Sequence, residues 1–346
     1  MNCYLSRNYK GLGSAGNKAK TDIESIMKKM GFRNVGLPQT TFNNKILHFL
    51  LTLLGVLKAP FCLHKDDILV LQYPLKKYFS FVCNMAHMRG AYVVVIIHDL
   101  GSFRRKALTE FQETRRLNHA DYIIAHNDMM KMWLGAHGCA VPVGTLGIFD
   151  YLSATKGAER TAPKQPCSIV YAGALSLRKN KFLYEWGKYI SGFKVNLYGN
   201  GFDTDAAQNG SAFNKMGFIK SDDLIATAQG SYGLVWDGAS ADSCTGNWGE
   251  YLRFNNPHKT SLYIRCHLPV IIWSKAALAP FVKENGIGLC VDSLARLGET
   301  LSEVTPEDYD RMQKNIRRVS QRLSEGYYFT TAVTTAIGYF ELDNRI

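Results

Sequence analysis

Short apolar runs alternate with amphipathic stretches along the whole chain. Residues 92–97 (Tyr-Val-Val-Val-Ile-Ile) are rich in β-branched side chains, which is typical of a strand buried on both faces of a parallel sheet. Similar runs predict strands at 3–5, 68–71, 122–125, 168–171, 195–198, 232–236, 270–273 and 287–291. Helical spacing of apolar residues predicts helices at 17–30, 181–190, 306–323 and 327–342. Strands that alternate with helices indicate βαβ units and doubly wound parallel sheets, so the predicted fold class is α/β.

The alternation is interrupted once, in the middle of the chain. Ser, Thr, Lys, Gly and Pro dominate residues 153–166, which is typical of a linker. A chain of 346 residues is long enough for about two domains. We therefore predict a Rossmann-like domain at 1–152, a linker at 153–166 and a second Rossmann-like domain at 167–325. Two such domains bind a ligand between the C-terminal edges of their sheets.

The formal charge of +12 favours an anionic partner: a phosphate-bearing small molecule, an anionic lipid surface or a nucleic acid. We see no nucleic-acid-binding module, so nucleic acid is not expected. The apolar stretch 46–57 is flanked by Lys45, Lys58 and Lys65. At twelve residues it is too short to span a bilayer, and it indicates either attachment to an anionic membrane surface or a buried core helix.

The N-terminus has no signal-peptide pattern, and the eight cysteines have neither CxxC nor zinc-like spacing. Single buried thiols in a reducing compartment are the expected interpretation. We therefore predict a cytoplasmic protein, soluble or attached to the inner face of the cytoplasmic membrane. A homo-oligomer is compatible with this sequence.

Two motifs are weak on inspection. Residues 11–16 fit GxGxxG, but the following strand region ends without the acid that would bind a ribose, so a nicotinamide dehydrogenase is disfavoured against a flexible glycine loop. Asp203 and Asp205 match the DxD of metal-dependent sugar transferases. They stand in a polar, glycine-flanked stretch, and a solvated surface loop is favoured.

The run Asn-Pro-His-Lys-Thr-Ser at 256–261 is more informative. Asn256 suits an N-cap and Pro257 the first helical position, so free backbone N–H groups and the Lys259 ammonium would converge at one helix start. That arrangement suits a nucleotide diphosphate. An ordinary capped helix explains the local pattern equally well.

A second phosphate signal follows the strand at 168–171, where Gly173 precedes Arg178 and Lys179 before a helix. Alone, a solvated basic turn is somewhat favoured, but two such signals on neighbouring βα loops reinforce each other. Trp236 and Asp237 end another strand and would contact the nucleotide or the sugar, or Trp236 would pack in the core.

His98 and Asp99 follow the buried strand 92–97, where ionisable residues face the ligand in folds of this class. Either could accept a proton from an attacking hydroxyl, and a structural pair is the equally weighted alternative. His126 occupies the corresponding position after the next strand.

At this point the motifs carry a family resemblance. The segments are 233–238 (Gly-Leu-Val-Trp-Asp-Gly), 251–263 (Tyr-Leu-Arg-Phe-Asn-Asn-Pro-His-Lys-Thr-Ser-Leu-Tyr), 268–270, 272–273 and 275–279, with matches at 15–16, 18–19, 97–99, 126–127, 148–152 and 170–173. Over nearly the whole chain they resemble the bacterial β-1,6-galactofuranosyltransferases of O-antigen and capsule assembly. More distantly, the chain resembles the glucosyltransferases that extend O-glycans on bacterial adhesins.

The resemblance implies a GT-B fold, in which two Rossmann-like domains face a central cleft, the C-terminal domain binds the donor and no metal is required. It also implies that the chain-end helix, 326–346, crosses back to the first domain. Lys259 matches the diphosphate-contacting lysine of the family, Lys179 a basic position of related transferases, and Arg178 matches less clearly. Phe254 and Leu262 replace the glutamates of the broad retaining group, which favours inversion.

We therefore expect a metal-independent, inverting hexosyltransferase without a cofactor, which moves galactofuranose from UDP-galactofuranose to a glycan acceptor that is lipid-linked. Asp99 is the expected general base, with His98 second. The expected donor-binding residues are Gly173, Arg178, Lys179, Asp237, Asn256, His258, Lys259, Thr260 and Ser261. The expected acceptor-side residues are Ser14, Gly16, Asn17 and His126. The alternatives are a pyranosyltransferase of the same fold and a non-catalytic GT-B-like partner subunit.

Overall fold

The computed structural model describes residues 1–9, 15–103, 106–163 and 166–343. They fold into two compact units, one made of Met1–Asp150 with Gly326–Ile346 and the other of Tyr151–Glu325. Each unit is built on a six-stranded sheet, and every strand pair among the described residues is parallel. The predicted α/β class with two Rossmann-like units is confirmed.

The sheet of the first unit has the order β2-β1-β3-β4-β5-β6. Its strands are β1 Asn2–Tyr4, β2 Arg33–Asn34, β3 Ile68–Tyr73, β4 Tyr92–Ile97, β5 Tyr122–Ala125 and β6 Val143–Thr145. The central strands β3 and β4 pair over six residues, from Ile68 with Tyr92 to Tyr73 with Ile97. Their side chains are almost all buried, as the continuous apolar run predicted.

The helices of this unit that precede β6 are α1 Ala15–Lys29, α2 Lys45–Cys62, α3 Phe79–Met88, α4 Glu110–Leu117 and α5 Asp128–Ala136. The second of them corrects a prediction. The apolar stretch that we judged too short for a bilayer lies in a helix of 18 residues, which by length and composition meets the requirement for crossing a membrane, as core helices of soluble proteins also do. Only 28% of it is buried, so it is not a core helix.

The sheet of the second unit has the order β12-β11-β10-β7-β8-β9. Its strands are β7 Cys167–Ala172, β8 Phe193–Tyr198, β9 Phe213–Gly217, β10 Tyr232–Val235, β11 Val270–Trp273 and β12 Gly288–Val291. Its helices are α6 Lys181–Trp186, α7 Ser221–Thr227, α8 Gly246–Glu250, α9 His258–Arg265, α10 Ala279–Asn285, α11 Leu297–Ser302 and α12 Pro306–Glu325.

The segment predicted as a linker is fixed to the second unit by two arginines. The Arg265 guanidinium donates to the carbonyls of Ser153 and Thr155 at 2.9 and 2.8 Å. The Arg160 guanidinium donates to three carbonyls on two turns of the same unit, those after α7 and α9, at 2.6 to 3.0 Å. The polar composition of this segment therefore reflects extended chain bound to a surface rather than a free connection.

The last helix, α13 Tyr327–Asp343, belongs to the first unit. Its first N–H groups donate to the buried Asp150 carboxylate, Tyr328 N at 3.2 Å and Phe329 N at 2.7 Å. Asp150 thus takes the role of an N-cap side chain. Residue 326, just before the helix, is a glycine with φ +81°, and a Cβ there would lie 2.6 Å from Ile26 Cγ1. Because no side chain fits at that position, the cap comes from a residue far away in sequence.

Candidate functional site

The ammonium group of Lys259 lies where two strands of the second sheet end. Lys259 is in the first turn of α9, and its Nζ is 3.0 Å from Asp237 Oδ1 and 3.3 Å from the Tyr171 hydroxyl. The Trp236 carbonyl is a third acceptor at 3.4 Å. Tyr171 is on β7 and Asp237 follows β10, and these strands are neighbours. The side chains of Lys259 and Asp237 stay 18% and 17% exposed, so this positive charge is fixed at the sheet edge and still reaches solvent.

Burial of Tyr171 raises the pKa of its hydroxyl far above the usual range, and the Asp237 carboxylate acts in the same direction. The hydroxyl is therefore neutral and holds both members of the ion pair, since it accepts from Lys259 and lies 3.3 Å from Asp237 Oδ1. From the sequence, this tyrosine stands in an apolar strand and in one of the segments that resemble the family, 170–173, but no role was predicted for it.

The start of α9 differs in detail from the prediction. Pro257 has extended backbone angles and is itself the N-cap, so the helix begins at His258 and not at the proline. The side chains of Asn256, Thr260 and Ser261 are buried, and His258 stacks on Tyr151 with ring centroids 4.9 Å apart. Any part that this turn plays in anion binding therefore falls to its backbone N–H groups and to Lys259, not to the two hydroxyls.

The glycine turn after β7 leaves backbone exposed at the same sheet edge. Gly173 has φ +149°, and a Cβ on Gly199, in the turn after β8, would lie 1.9 Å from the Gly173 carbonyl oxygen. The two turns touch backbone to backbone, which only glycine allows. The Lys179 ammonium lies 5.0 Å from the centre of the Trp248 ring on α8, and Arg178 is exposed.

Two further candidate residues of the second unit, Trp236 and Asp203, have contacts that explain them structurally. Trp236 is fully buried, donates from Nε1 to the Ser240 carbonyl and packs edge-on against Trp273, so its side chain belongs to the core and does not contact a nucleotide. Asp203 accepts the backbone N–H of Asp205 within an exposed turn, as the surface-loop interpretation predicted. Among the described residues, no three His, Cys, Asp or Glu side chains are grouped so that they could hold a metal ion.

In the first unit, His98 is the end of a buried hydrogen-bonded chain. Its Nε2 lies 2.7 Å from Gln72 Oε1. Gln72 Nε2 donates to the Tyr9 hydroxyl at 3.2 Å, and that hydroxyl donates to Glu24, which also accepts from Ser6. Since the Gln72 amide nitrogen donates elsewhere, its oxygen must accept, and His98 donates from Nε2. In its neutral form the His98 ring therefore carries its lone pair on Nδ1.

Glu24, at the other end of this chain, is 3% exposed. Burial raises the pKa of its carboxyl to about 7, against the lowering effect of the bonds from Tyr9 and Ser6. A carboxyl that exchanges a proton near neutrality is thus joined to the predicted base region through Tyr9 and Gln72. Sequence analysis missed all three residues. A polar residue within an apolar strand, Gln72, was the available signal.

The loop after Asp99 is fixed by another buried carboxylate. Glu113, on α4, is fully buried and accepts the N–H groups of Gly101 at 3.0 Å and Ser102 at 2.7 Å. The Tyr73 hydroxyl donates to the same carboxylate at 2.6 Å. Asp99 itself is half-buried. Glu113 therefore acts as a positioning residue for the predicted base and was not anticipated from the sequence.

The predicted acceptor-side residues separate into two groups. Gly16 and Asn17 lie in the first turn of α1, and Ser14 lies outside the described residues. His126 is 2% exposed, its Nε2 is 3.0 Å from the Ile97 carbonyl, and its ring packs edge-on against Phe149. As a buried residue it supports the end of β4, and its contact with an acceptor stays a prediction.

The family models and the fold together identify a glycosyltransferase with the GT-B fold. Two family models match the chain, the glucosyltransferase 3-like N-terminal domain over residues 2–148 and the corresponding C-terminal domain over residues 169–336. The chain belongs to this family.

Its relatives include the β-1,6-galactofuranosyltransferase WbbI of Escherichia coli (strain K12), with 33% identity over 283 residues and 80% of each chain covered. The fold is similar to that of the lipopolysaccharide outer core galactosyltransferase WaaB in its apo form, with TM-score 0.55, 13% identity, and 97% of this chain and 100% of that chain covered. It is also similar to HepE of Anabaena in complex with UDP, with TM-score 0.59, 13% identity, and 98% and 100% covered.

Proposed function

We propose that this glycosyltransferase transfers galactofuranose from UDP-galactofuranose to a hydroxyl of a glycan acceptor in surface polysaccharide assembly, with inversion and without a metal. The identity to a named β-1,6-galactofuranosyltransferase supports the donor sugar. The observation that carries the donor site is the Lys259 ammonium, held at the ends of β7 and β10 beside the start of α9.

In the proposed reaction the acceptor oxygen bonds to the anomeric carbon while the bond from that carbon to the diphosphate breaks. The electron pair leaves with the diphosphate, and the growing negative charge is stabilised by Lys259 and by the N–H groups of the first α9 turn. Lys179 and Arg178, after the neighbouring strand β7, add positive charge at the same sheet edge. These groups provide in this proposal what a divalent cation provides in metal-dependent transferases.

The proton of the acceptor hydroxyl goes to Asp99 in this proposal, with His98 as the second candidate. Asp99 follows the end of β4, and Glu113 fixes the loop that carries it. We expect Asp99→Asn to reduce turnover by at least about 10²-fold while UDP still raises the melting temperature, because general bases contribute about 10²–10⁴-fold. If His98 is the base instead, Asp99→Asn keeps its turnover, and Gln72→Met, which removes the acceptor of His98 Nε2, lowers it.

We further propose a lipid-linked acceptor, so that the enzyme works at the inner face of the cytoplasmic membrane. The net charge of +12 and the exposed apolar side of α2 support this location.

The deciding experiment is sugar transfer by the purified chain to hydrophobic-tagged glycosides. UDP-galactopyranose is supplied with and without the mutase that converts it to the furanose. Product only with the mutase is the expected result, whereas product without it would identify a pyranosyl donor. Absence of product combined with absence of stabilisation by UDP would favour a non-catalytic partner subunit.

A further inference from the structure

Helix α2 is attached to the first unit by one face and exposes apolar side chains on the other. Thr52, Val56 and Ala59 are buried against the unit. The outward side chains recur at helical spacing: Ile46 72% exposed, Phe49 43%, Leu50 46%, Leu54 54%, Leu57 46% and Phe61 84%. We call these six residues the α2 stripe. A contiguous apolar surface of this kind marks an interaction site.

A cleft of about 410 Å³ lies beside the first half of α2. Its walls are Arg7, Lys45, His48, Phe49, Thr52, Leu75, Lys77 and Tyr78. Three of these eight residues are permanent cations, and none is a carboxylate. One wall residue, Phe49, also belongs to the α2 stripe, so positive charge and apolar surface are continuous.

The cations of the cleft are held in place by contacts other than ion pairs, and the charge of Arg7 also acts on the buried Glu24 carboxyl. The Arg7 guanidinium donates to the Pro74 carbonyl at 3.2 Å, and the Lys77 ammonium lies 5.0 Å from the centre of the Phe49 ring. No ion pair among the described residues includes Arg7, Lys45 or Lys77. The Tyr78 hydroxyl in the same wall is buried and has no hydrogen-bond partner within the described part of the chain. A phosphate would satisfy all of these groups.

We propose that the cleft binds the phosphate of an anionic phospholipid while the α2 stripe enters the bilayer surface. Free phosphate would account for the cations but not for six exposed apolar side chains. A second copy of the chain would cover the stripe, but a symmetric contact would bring the same uncompensated cations together. A bilayer of anionic lipids supplies both the apolar layer and the negative charge.

The inference deepens the proposed function, because it rests on the proposed work at a membrane, but its test needs neither donor nor acceptor. The purified chain is mixed with vesicles of phosphatidylcholine alone or with phosphatidylglycerol added, and bound protein is separated by flotation. We expect binding only to the anionic vesicles, weakened by high salt. If the chain transfers sugar but does not bind the anionic vesicles, this inference is overturned and the transfer proposal stands. If the chain binds the vesicles but transfers no sugar, the transfer proposal is overturned and this inference stands.

Two variants separate the cleft from the stripe. Lys45→Gln with Lys77→Gln should lower vesicle affinity about 25-fold, about fivefold for each lysine. Leu50→Ser with Leu54→Ser should abolish binding at equal net charge. The matched control is Lys215→Gln with Lys220→Gln and Phe218→Ser, three exposed positions of the second unit, and it should bind as the unchanged chain does.

Three results would overturn the proposal. The first is that the chain binds neutral and anionic vesicles equally. The second is that the control variant weakens vesicle binding as much as the cleft and stripe variants do. The third is that Leu50→Ser with Leu54→Ser lowers the molecular mass of the free protein in solution. The last would assign the α2 stripe to a contact between copies of this chain.

Discussion

At the scale of single residues, Lys259 is the position where a small change should separate binding from folding. Its ammonium is 18% exposed and ion-paired with an Asp237 that is 17% exposed, so Lys259→Ala leaves a mostly buried carboxylate unpaired and should cost about 2–3 kcal/mol of unfolding free energy. Transfer should fall about 10²–10³-fold, since in the proposed reaction the lost charge stabilises the leaving diphosphate. Initial rates and thermal unfolding measure the two effects. Lys194→Ala, an exposed strand residue of the same unit, is the control. An unfolded Lys259→Ala protein would make the residue structural.

Glu24 gives a prediction about pH. Burial raises the pKa of its carboxyl from 4.5 to about 7, so the folded chain keeps a proton that the unfolded chain releases at lower pH. Stability therefore falls as pH rises from about 4.5 to about 7, by on the order of 3 kcal/mol from this group. Glu24→Gln removes the titration. The stability of this variant relative to the unchanged chain should increase with pH across that window in urea titrations, and a constant difference would refute the assignment.

Among single residues, those at the ends of strands and helices could be predicted from the sequence, and those in buried hydrogen-bonded chains could not. The positions of His98, Asp99 and Lys259 at the ends of strands or helices could be predicted, because polar residues next to apolar runs are easily recognised in a sequence. The hydrogen-bonded chain from His98 through Gln72 and Tyr9 to Glu24 could not be predicted. It joins α1, the segment after β1, β3 and the end of β4, which are brought together only by the fold. The burial of His126 could not be predicted either, since a residue at a strand end can turn into the core as easily as out of it.

At the scale of elements, the cap of α13 depends on a carboxylate from outside the helix. Asp150→Ala removes the acceptor for Tyr328 N and Phe329 N and should cost about 0.5–2 kcal/mol of unfolding free energy. Asp150→Asn keeps an oxygen acceptor and should cost much less, because Asn and Asp cap comparably. Denaturation compares the free energies, and hydrogen exchange reports the first turn of α13. Equal costs for the two variants would show that the cap bonds are not what stabilises this helix.

Elements with strong apolar periodicity were predicted well, and weak ones were not. Strand β4 was predicted at its observed bounds, 92–97, and the helix predicted at 306–323 is α12. Strand β9 was missed because its residues, Phe-Asn-Lys-Met-Gly, lie at a sheet edge where only one side needs to be apolar. Helix α2 was underestimated because its apolar character continues beyond Lys58 through Ala59 and Phe61.

At the scale of the whole molecule, the last helix completes the unit that the first residues begin. The ring of Phe340 stacks on Tyr92 of β4 at 4.7 Å, and Tyr339 packs against Tyr122 of β5 at 5.6 Å. A chain that ends at Glu325 should therefore lose protection from hydrogen exchange in β4 and β5 while β7 and β10 keep theirs. Mass spectrometry of peptides after exchange makes the comparison. Uniform protection in both sheets would show that α13 is dispensable for its unit.

This arrangement has a consequence for biosynthesis. A ribosome releases the chain from the N-terminus, so most of the first unit emerges before the second, yet its final helix emerges last. The second unit, Tyr151–Glu325, is contiguous and can fold as soon as it has left the exit tunnel. The unit synthesised first is thus the one finished last, and until α13 emerges its sheet lacks the aromatic contacts at Tyr92 and Tyr122.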